Sequence, residues 1–144
     1  MRSAPFTAAL AALVVGIAAS PAGAQDLRPT ATRLATAWAR GDFSEIGTRT
    51  ARSGLSIALD GDRTGPFGER QAAAALKRLF EDRETLSARP GKGGITEGDP
   101  RRAFVEISWV SRTRGSRIEE RTTVVLALVE EGNEWRITEI RLMK

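Results

Sequence analysis

Glu139 and Arg141 stand two residues apart near the end of a 144-residue chain, inside the run Glu134-Trp135-Arg136-Ile137-Thr138-Glu139-Ile140-Arg141-Leu142. A carboxylate in a pocket can act as a general base, and a neighbouring guanidinium can steady an anion, so the pair suits a lyase or isomerase. That role requires both side chains to enter the interior of the fold. Asp60, Asp62, Thr64 and Gly65 follow the first half of a calcium loop, with oxygens at alternate positions. Position twelve of that loop is Gln71 rather than a bidentate Glu, and the flanks read as strand and helix, so no metal site is assigned. Gly91-Lys92-Gly93-Gly94 lacks the spacing of a phosphate-binding loop and reads as a flexible turn. Arg112, Arg114 and Arg117 crowd a hairpin tip, where they either meet an anionic surface or protect an exposed edge. Trp38, Phe80, Trp109 and Trp135 all fall on apolar faces. They either line a pocket for a small apolar ligand or fill the core.

The chain contains no Cys, no His and no Tyr. A disulfide, a thiol nucleophile, an imidazole base and a phenolic oxyanion donor are therefore all excluded. Any catalysis would rest on Asp, Glu, Lys, Arg, Ser or Thr, and the residues call for no cofactor. The formal charge is +4, with Lys and Arg interspersed among Asp and Glu. Nucleic-acid binding needs a basic stripe with stacking aromatics, which this pattern does not supply.

Residues 1–24 read as an export leader. Arg2 gives the positive start, Thr7 to Ala19 the apolar run, and Ala22-Gly23-Ala24 the small-residue cleavage site before Gln25. The run is shorter than the roughly 20 residues that a membrane span needs. The expected product is periplasmic or extracellular, without a membrane anchor, and one domain over residues 25–144. Its about 120 residues are enough for one compact core.

The elements that must position these residues follow from periodicity. Leu27, Ala31, Leu34, Ala35 and Trp38 predict a helix from Asp26 to Arg40, stopped by Gly41. Asp42 is placed to cap a short helix carrying Phe43 and Ile46. Leu55, Ile57 and Leu59 alternate as a strand, residues 60–66 read as a loop, and Ala72, Ala75, Leu76, Leu79 and Phe80 predict a helix over 68–82. Thr85 to Arg89 suggests a short strand, with a break at Pro90 to Gly94.

A β-meander is expected from Arg101 to Met143. A turn at Gly115-Ser116 sets Ile107 opposite Val124, Val105 opposite Leu126 and Ala103 opposite Leu128, with Arg112 facing Glu119. A turn at Gly132-Asn133 sets Leu128 opposite Ile137. Beyond that point two registers remain. A β-bulge near Thr138-Glu139 turns Ile140 and Leu142 inward, whereas an unbroken ladder sends Glu139 and Arg141 into the interior. The bulge is favoured because unpaired buried charges are costly. The other face is assigned Phe104, Val125, Ala127 and Ile140, a patch suited to a two-fold homodimer.

The order of elements resembles the nuclear transport factor 2-like superfamily. The runs Gln71-Ala72-Ala73-Ala74-Ala75-Leu76-Lys77-Arg78-Leu79-Phe80 and Glu134 to Leu142 are similar to a small family of bacterial secreted domains of unknown function within it. The resemblance implies an α+β cone: a curved antiparallel sheet with N-terminal helices on its concave face and a pocket between them. It also suggests dimerisation through the sheet. No catalytic motif of the superfamily maps onto this chain, since an isomerase with a Tyr-based oxyanion donor has no counterpart here. Three expectations follow: non-enzymatic binding of a small apolar ligand or a partner protein through the cone, a carboxylate-based lyase or isomerase, and a structural dimerisation module.

Overall fold

The structure, a computed structural model, describes residues 22–144, with side chains from Leu27 onward. The leader read over residues 1–24 falls outside them apart from Ala22–Ala24, which begin helix α1. This helix, Ala22–Arg40, starts earlier than its periodicity predicts and buries Leu27, Leu34, Ala35 and Trp38. Gly41 stops it at φ +65°, a conformation that glycine adopts without steric cost. The Asp42 carboxylate accepts the Glu45 N–H at 3.1 Å and caps α2 (Phe43–Gly47), which seats Ile46 in the core. In α3 (Glu69–Asp82) the Gln71 side chain accepts the Gly68 N–H at 3.2 Å, and Ala72, Leu76 and Phe80 form the buried stripe.

The strands are β1 (Leu55–Leu59), β2 (Asp62–Phe67), β3 (Arg83–Thr96), β4 (Arg102–Thr113), β5 (Glu120–Glu131) and β6 (Glu134–Met143). They form one curved, unclosed sheet in the order β2-β1-β6-β5-β4-β3. Every seam is antiparallel except β1 against β6, a parallel pairing that places Ile57 beside Ile140. The helices cover the concave side, where Val105, Ile107, Trp109, Leu126, Leu128 and Ile137 are each no more than 1% exposed.

Several expectations are corrected. Residues 60–66 are not a loop: Asp60 and Gly61, at φ 50° and 89°, make a two-residue turn between β1 and β2, with Leu59 opposite Asp62. Asp-Gly between short extended runs is a hairpin signal, and it removes the calcium-loop geometry. Leu59 lies at the exposed end of its strand at 40%. The break expected at Pro90 to Gly94 is absorbed into β3 by two bulges, between Thr85 and Ser87 and between Pro90 and Gly93. An edge strand tolerates this proline because only one side of it must donate to a ladder.

In β4–β5 the predicted register holds at all three core pairs. The connection is longer than a two-residue turn, because the strands stop at Thr113 and Glu120. Arg112 pairs with Glu84 on β3 at 3.1 Å instead of with Glu119 across the hairpin.

The bulge in β6 is present. Leu128 faces Ile137, but Ala127 faces Glu139, so Thr138 is the extra residue, and its hydroxyl donates to the Ala127 carbonyl at 3.2 Å. Ile140 therefore leaves the outer patch to which it was assigned and enters the core at 0% exposure. Burying Ile140 and partly burying Leu142 is favourable, at about 1.5–3 kcal/mol for a fully buried side chain of this size. The alternative register would bury Glu139 and Arg141 in their place.

Candidate functional site

Three elements converge at one end of the cone. The last turn of α1 brings Trp38, the last turns of α3 bring Phe80, and β4 brings Trp109. Their rings meet edge to face: Trp38–Phe80 at 5.1 Å, Trp38–Trp109 at 5.3 Å and Phe80–Trp109 at 6.3 Å. This is the preferred aromatic geometry, and it fills the depth of the cone. The Trp109 indole N–H donates to the Thr85 hydroxyl at 2.9 Å. Trp38 Nε1 and Ser111 Oγ are buried without a hydrogen-bond partner. Unpaired buried polar groups are rare enough to mark a place where a partner is wanted. Trp135 is not part of this cluster: it sits at the start of β6, with the Arg101 guanidinium 5.4 Å from its ring centre.

Above the aromatics lies an open cleft of about 620 Å³, floored by Phe43, Phe80 and Thr85. Its charged lining is mixed with an excess of cations, Arg40, Lys77, Arg83 and Arg114 against Glu81 and Glu84. Arg114 donates to the Phe80 and Glu81 carbonyls at 3.2 and 2.7 Å, satisfying the C-terminal end of α3. Arg83 is paired with Glu120 and lies over Trp109, 5.8 Å from the ring centre. The Lys77 ammonium stands over Phe43 at 5.9 Å. Arg40 and Lys77 have no carboxylate partner among the described residues. On the flank, hydrogen bonding to Arg112 holds the Glu84 carboxyl below the usual range, and Glu84 raises the Arg112 guanidinium in return.

The remaining candidates lie elsewhere. Glu139 and Arg141 occupy the outer face of the sheet, on the far side from the cone. Glu139 is clamped between Arg63 at 3.0 Å and Arg141 at 2.8 Å. With the bulge in place, the condition on which a cone-facing Glu139 rested is not met. Asp60 and Asp62 belong to a hairpin turn and the first residue of β2, and the described residues contain no group of three or more metal-ligating side chains. Arg112 and Arg114 are held by Glu84 and by α3, whereas Arg117 has no carboxylate partner among the described residues. Gly91 to Gly94 line a different cleft, between α1 and β3.

Sequence reasoning missed this excess of cations. Arg40, Lys77, Arg83 and Arg114 come from four elements, and no spacing rule links them. The signals available were positional: Arg40 sits in the last turn of α1, and Arg114 lies just beyond β4.

No protein-family model matches the chain, and no curated protein matches it. Solved structures do. A DUF4783 family protein from Bacteroides uniformis is 17% identical, with a TM-score of 0.61 over 77% of this chain and 93% of that one. An NTF-2 like protein of unknown function from Shewanella oneidensis is 20% identical, with a TM-score of 0.59 over 85% and 99%. A protein with a ketosteroid isomerase-like fold from Catenulispora acidiphila, in complex with trimethylamine, is 20% identical, with a TM-score of 0.58 over 76% and 80%. The fold is nuclear transport factor 2-like, as the order of elements implied. Likeness at these identities is one of fold, and the fold hosts many activities.

Proposed function

We propose that this chain is an exported, non-catalytic binding domain that holds a small apolar ligand at the mouth of its cone. The observation that carries the reading is the Phe43–Phe80 cleft, an aromatic floor beneath a rim in which Arg40 and Lys77 lack carboxylate partners among the described residues. A ligand with an apolar body gains from covering those rings, and an acceptor or anionic group on it gains from the rim. The unpartnered Trp38 Nε1 and Ser111 Oγ behind the floor add capacity for a polar atom or a water. A small molecule in a fold neighbour, the trimethylamine bound to the Catenulispora protein, is consistent with this architecture taking ligands of modest size. The lyase or isomerase reading loses support because Glu139 lies on the other face, paired with two guanidiniums.

The test uses 8-anilino-1-naphthalenesulfonate, an apolar anion, titrated against tryptophan emission. Saturable one-site binding is expected, weakened at least fivefold by Phe43→Ala and by Lys77→Glu, with thermal melting reporting that both variants fold. Binding indifferent to both substitutions overturns the reading. Native mass spectrometry of protein taken from its own envelope tests export and cargo together, because cleavage after Ala24 and a retained ligand each change the mass.

A second reading, self-association through the outer sheet face, rests on one observation. Phe104 is 40% exposed directly beside Ala127 on the neighbouring strand, with Val125 two residues further along. A two-fold pairing would cover it.

A further inference from the structure

We infer that a second binding site, independent of the cone mouth, lies between α1 and β3 and takes a medium-chain acyl carboxylate. The cleft there has a volume of about 580 Å³ and a mainly apolar floor of Leu27, Ala31, Ile95 and Val105.

The inward row of β3 beside it is built from small or rigid residues. Gly93 pairs with Val105, so its position belongs to the inward row of β3, and a Cβ there would stand 3.7 Å from the Leu27 side chain and 3.5 Å from that of Val105. The neighbouring inward position is Pro90, opposite Ile107, and the one beyond it is Ala88, opposite Trp109. Small or rigid side chains in this row let α1 lie close along β3, with Leu27 and Val105 in contact beside Gly93, and the cleft opens past them where Ala31 and Ile95 stay half-buried. Apolar surface left open in this way gains from an apolar chain laid on it. Pro90 to Ile95 lies opposite Ile107 to Ala103, four residue steps of β4 or about 13 Å at the usual strand rise, so the floor is a slot rather than a round pocket.

Two cations line the slot, Arg28 from α1 and Lys92 from β3. Both are exposed, and neither has a carboxylate partner among the described residues. The bulge between Pro90 and Gly93 removes Gly91 and Lys92 from the ladder, since neither has a partner residue on β4. Two residues thus stand against the single residue Glu106, and Lys92 reaches the lining of the cleft from this bulge. An apolar slot lined by two cations is complementary to a molecule with one anionic head and one unbranched apolar tail. The acyl tail lies along Leu27, Ala31, Ile95 and Val105, and the carboxylate meets Lys92 and Arg28. A neutral hydrocarbon would leave the cations unused, and a compact anion would leave the floor wet.

The experiment titrates butyrate, hexanoate, octanoate and decanoate into the full chain, reading affinity by calorimetry and location by backbone amide shifts. Affinity should climb about fourfold for each methylene buried, the ratio expected from apolar transfer. The shifts should centre on Leu27, Ala31, Gly93 and Ile95. Lys92→Glu should weaken decanoate at least fivefold without altering the melt. Gly93→Val should abolish the chain-length dependence. Should Gly93→Val fail to fold, Ala31→Trp fills the slot from the helix side and carries the same expectation. Affinity independent of chain length, or binding that survives both Lys92→Glu and the filled slot, overturns the proposal. Loss of decanoate binding with Lys77→Glu alone and shifts at Phe43 would place the ligand at the cone mouth, overturning this site while leaving the proposed function standing.

Discussion

Arg101 shows how individual side chains settle this fold's charge. Its guanidinium grips both oxygens of Glu130, with Nε to Oε1 at 3.1 Å, and lies over the Trp135 ring. That hydrogen bonding holds the Glu130 carboxyl below its usual range. A carboxylate whose folded-state pKa lies below its unfolded value stabilises the fold above the unfolded value. The contribution fades as pH falls through the folded one. Arg101→Met should therefore reduce stability at pH 7 more than at pH 3, read as shifts in urea midpoints at the two values. An equal loss at both would mean that packing on Trp135 is the whole contribution. Glu139 is the contrasting case. Its two guanidinium partners are 65% and 55% exposed, and such surface pairs contribute about 0–1 kcal/mol. Its type was legible as possible chemistry, but its surroundings were not, because Arg63 arrives from a strand that the sequence reads as loop.

Bulges decide what the strands present. Thr138 is one residue in β6, yet it fixes the facing of every residue after it, because strand side chains alternate with a period of two. Deleting Thr138 should remove the bulge yet keep Ile140 opposite Leu126 and Leu142 opposite Val124, so stability should fall by less than the about 1.5–3 kcal/mol that returning Ile140 to water would cost. Guanidinium unfolding measures the change, and a larger loss would show that Ile140 had left the core and that Thr138 is not the extra residue. This element was readable because an inner apolar set and an outer charged set conflicted in plain sight. The two bulges of β3 left no such conflict. Ala88, Pro90 and Gly93 carry little hydrophobic signal, so a 14-residue edge strand read as a short strand and a turn. Strand identity there comes from β4 alongside and α1 above.

The molecule as a whole is a cone whose depth is filled, with open clefts at its mouth and in the α1–β3 seam and an exposed Phe104 on its outer face. With Ile140 in the core, the outer face retains Phe104, Val125 and Ala127, so the proposed self-association depends on a smaller patch than first read. Phe104→Arg should convert a dimer to a monomer in sedimentation velocity without changing the melt. A parent chain that already sediments as a monomer would remove the dimer. No described helix is long and apolar enough to cross a membrane.

By itself the sequence determined the helices, the meander and its main register. Each rests on a local rule: helical periodicity for α1 and α3, an aspartate cap for α2, and alternation with turn residues for β4 to β6. The same logic brought Trp38, Phe80 and Trp109 to one interior, because each lies on the buried face of its own element. Only the tertiary structure decided that those rings interlock and close the cone, that Arg40, Lys77, Arg83 and Arg114 gather above them, and that a cleft opens between α1 and β3. Those outcomes join residues from separate elements, and the distances between elements are set by packing, which no single segment encodes.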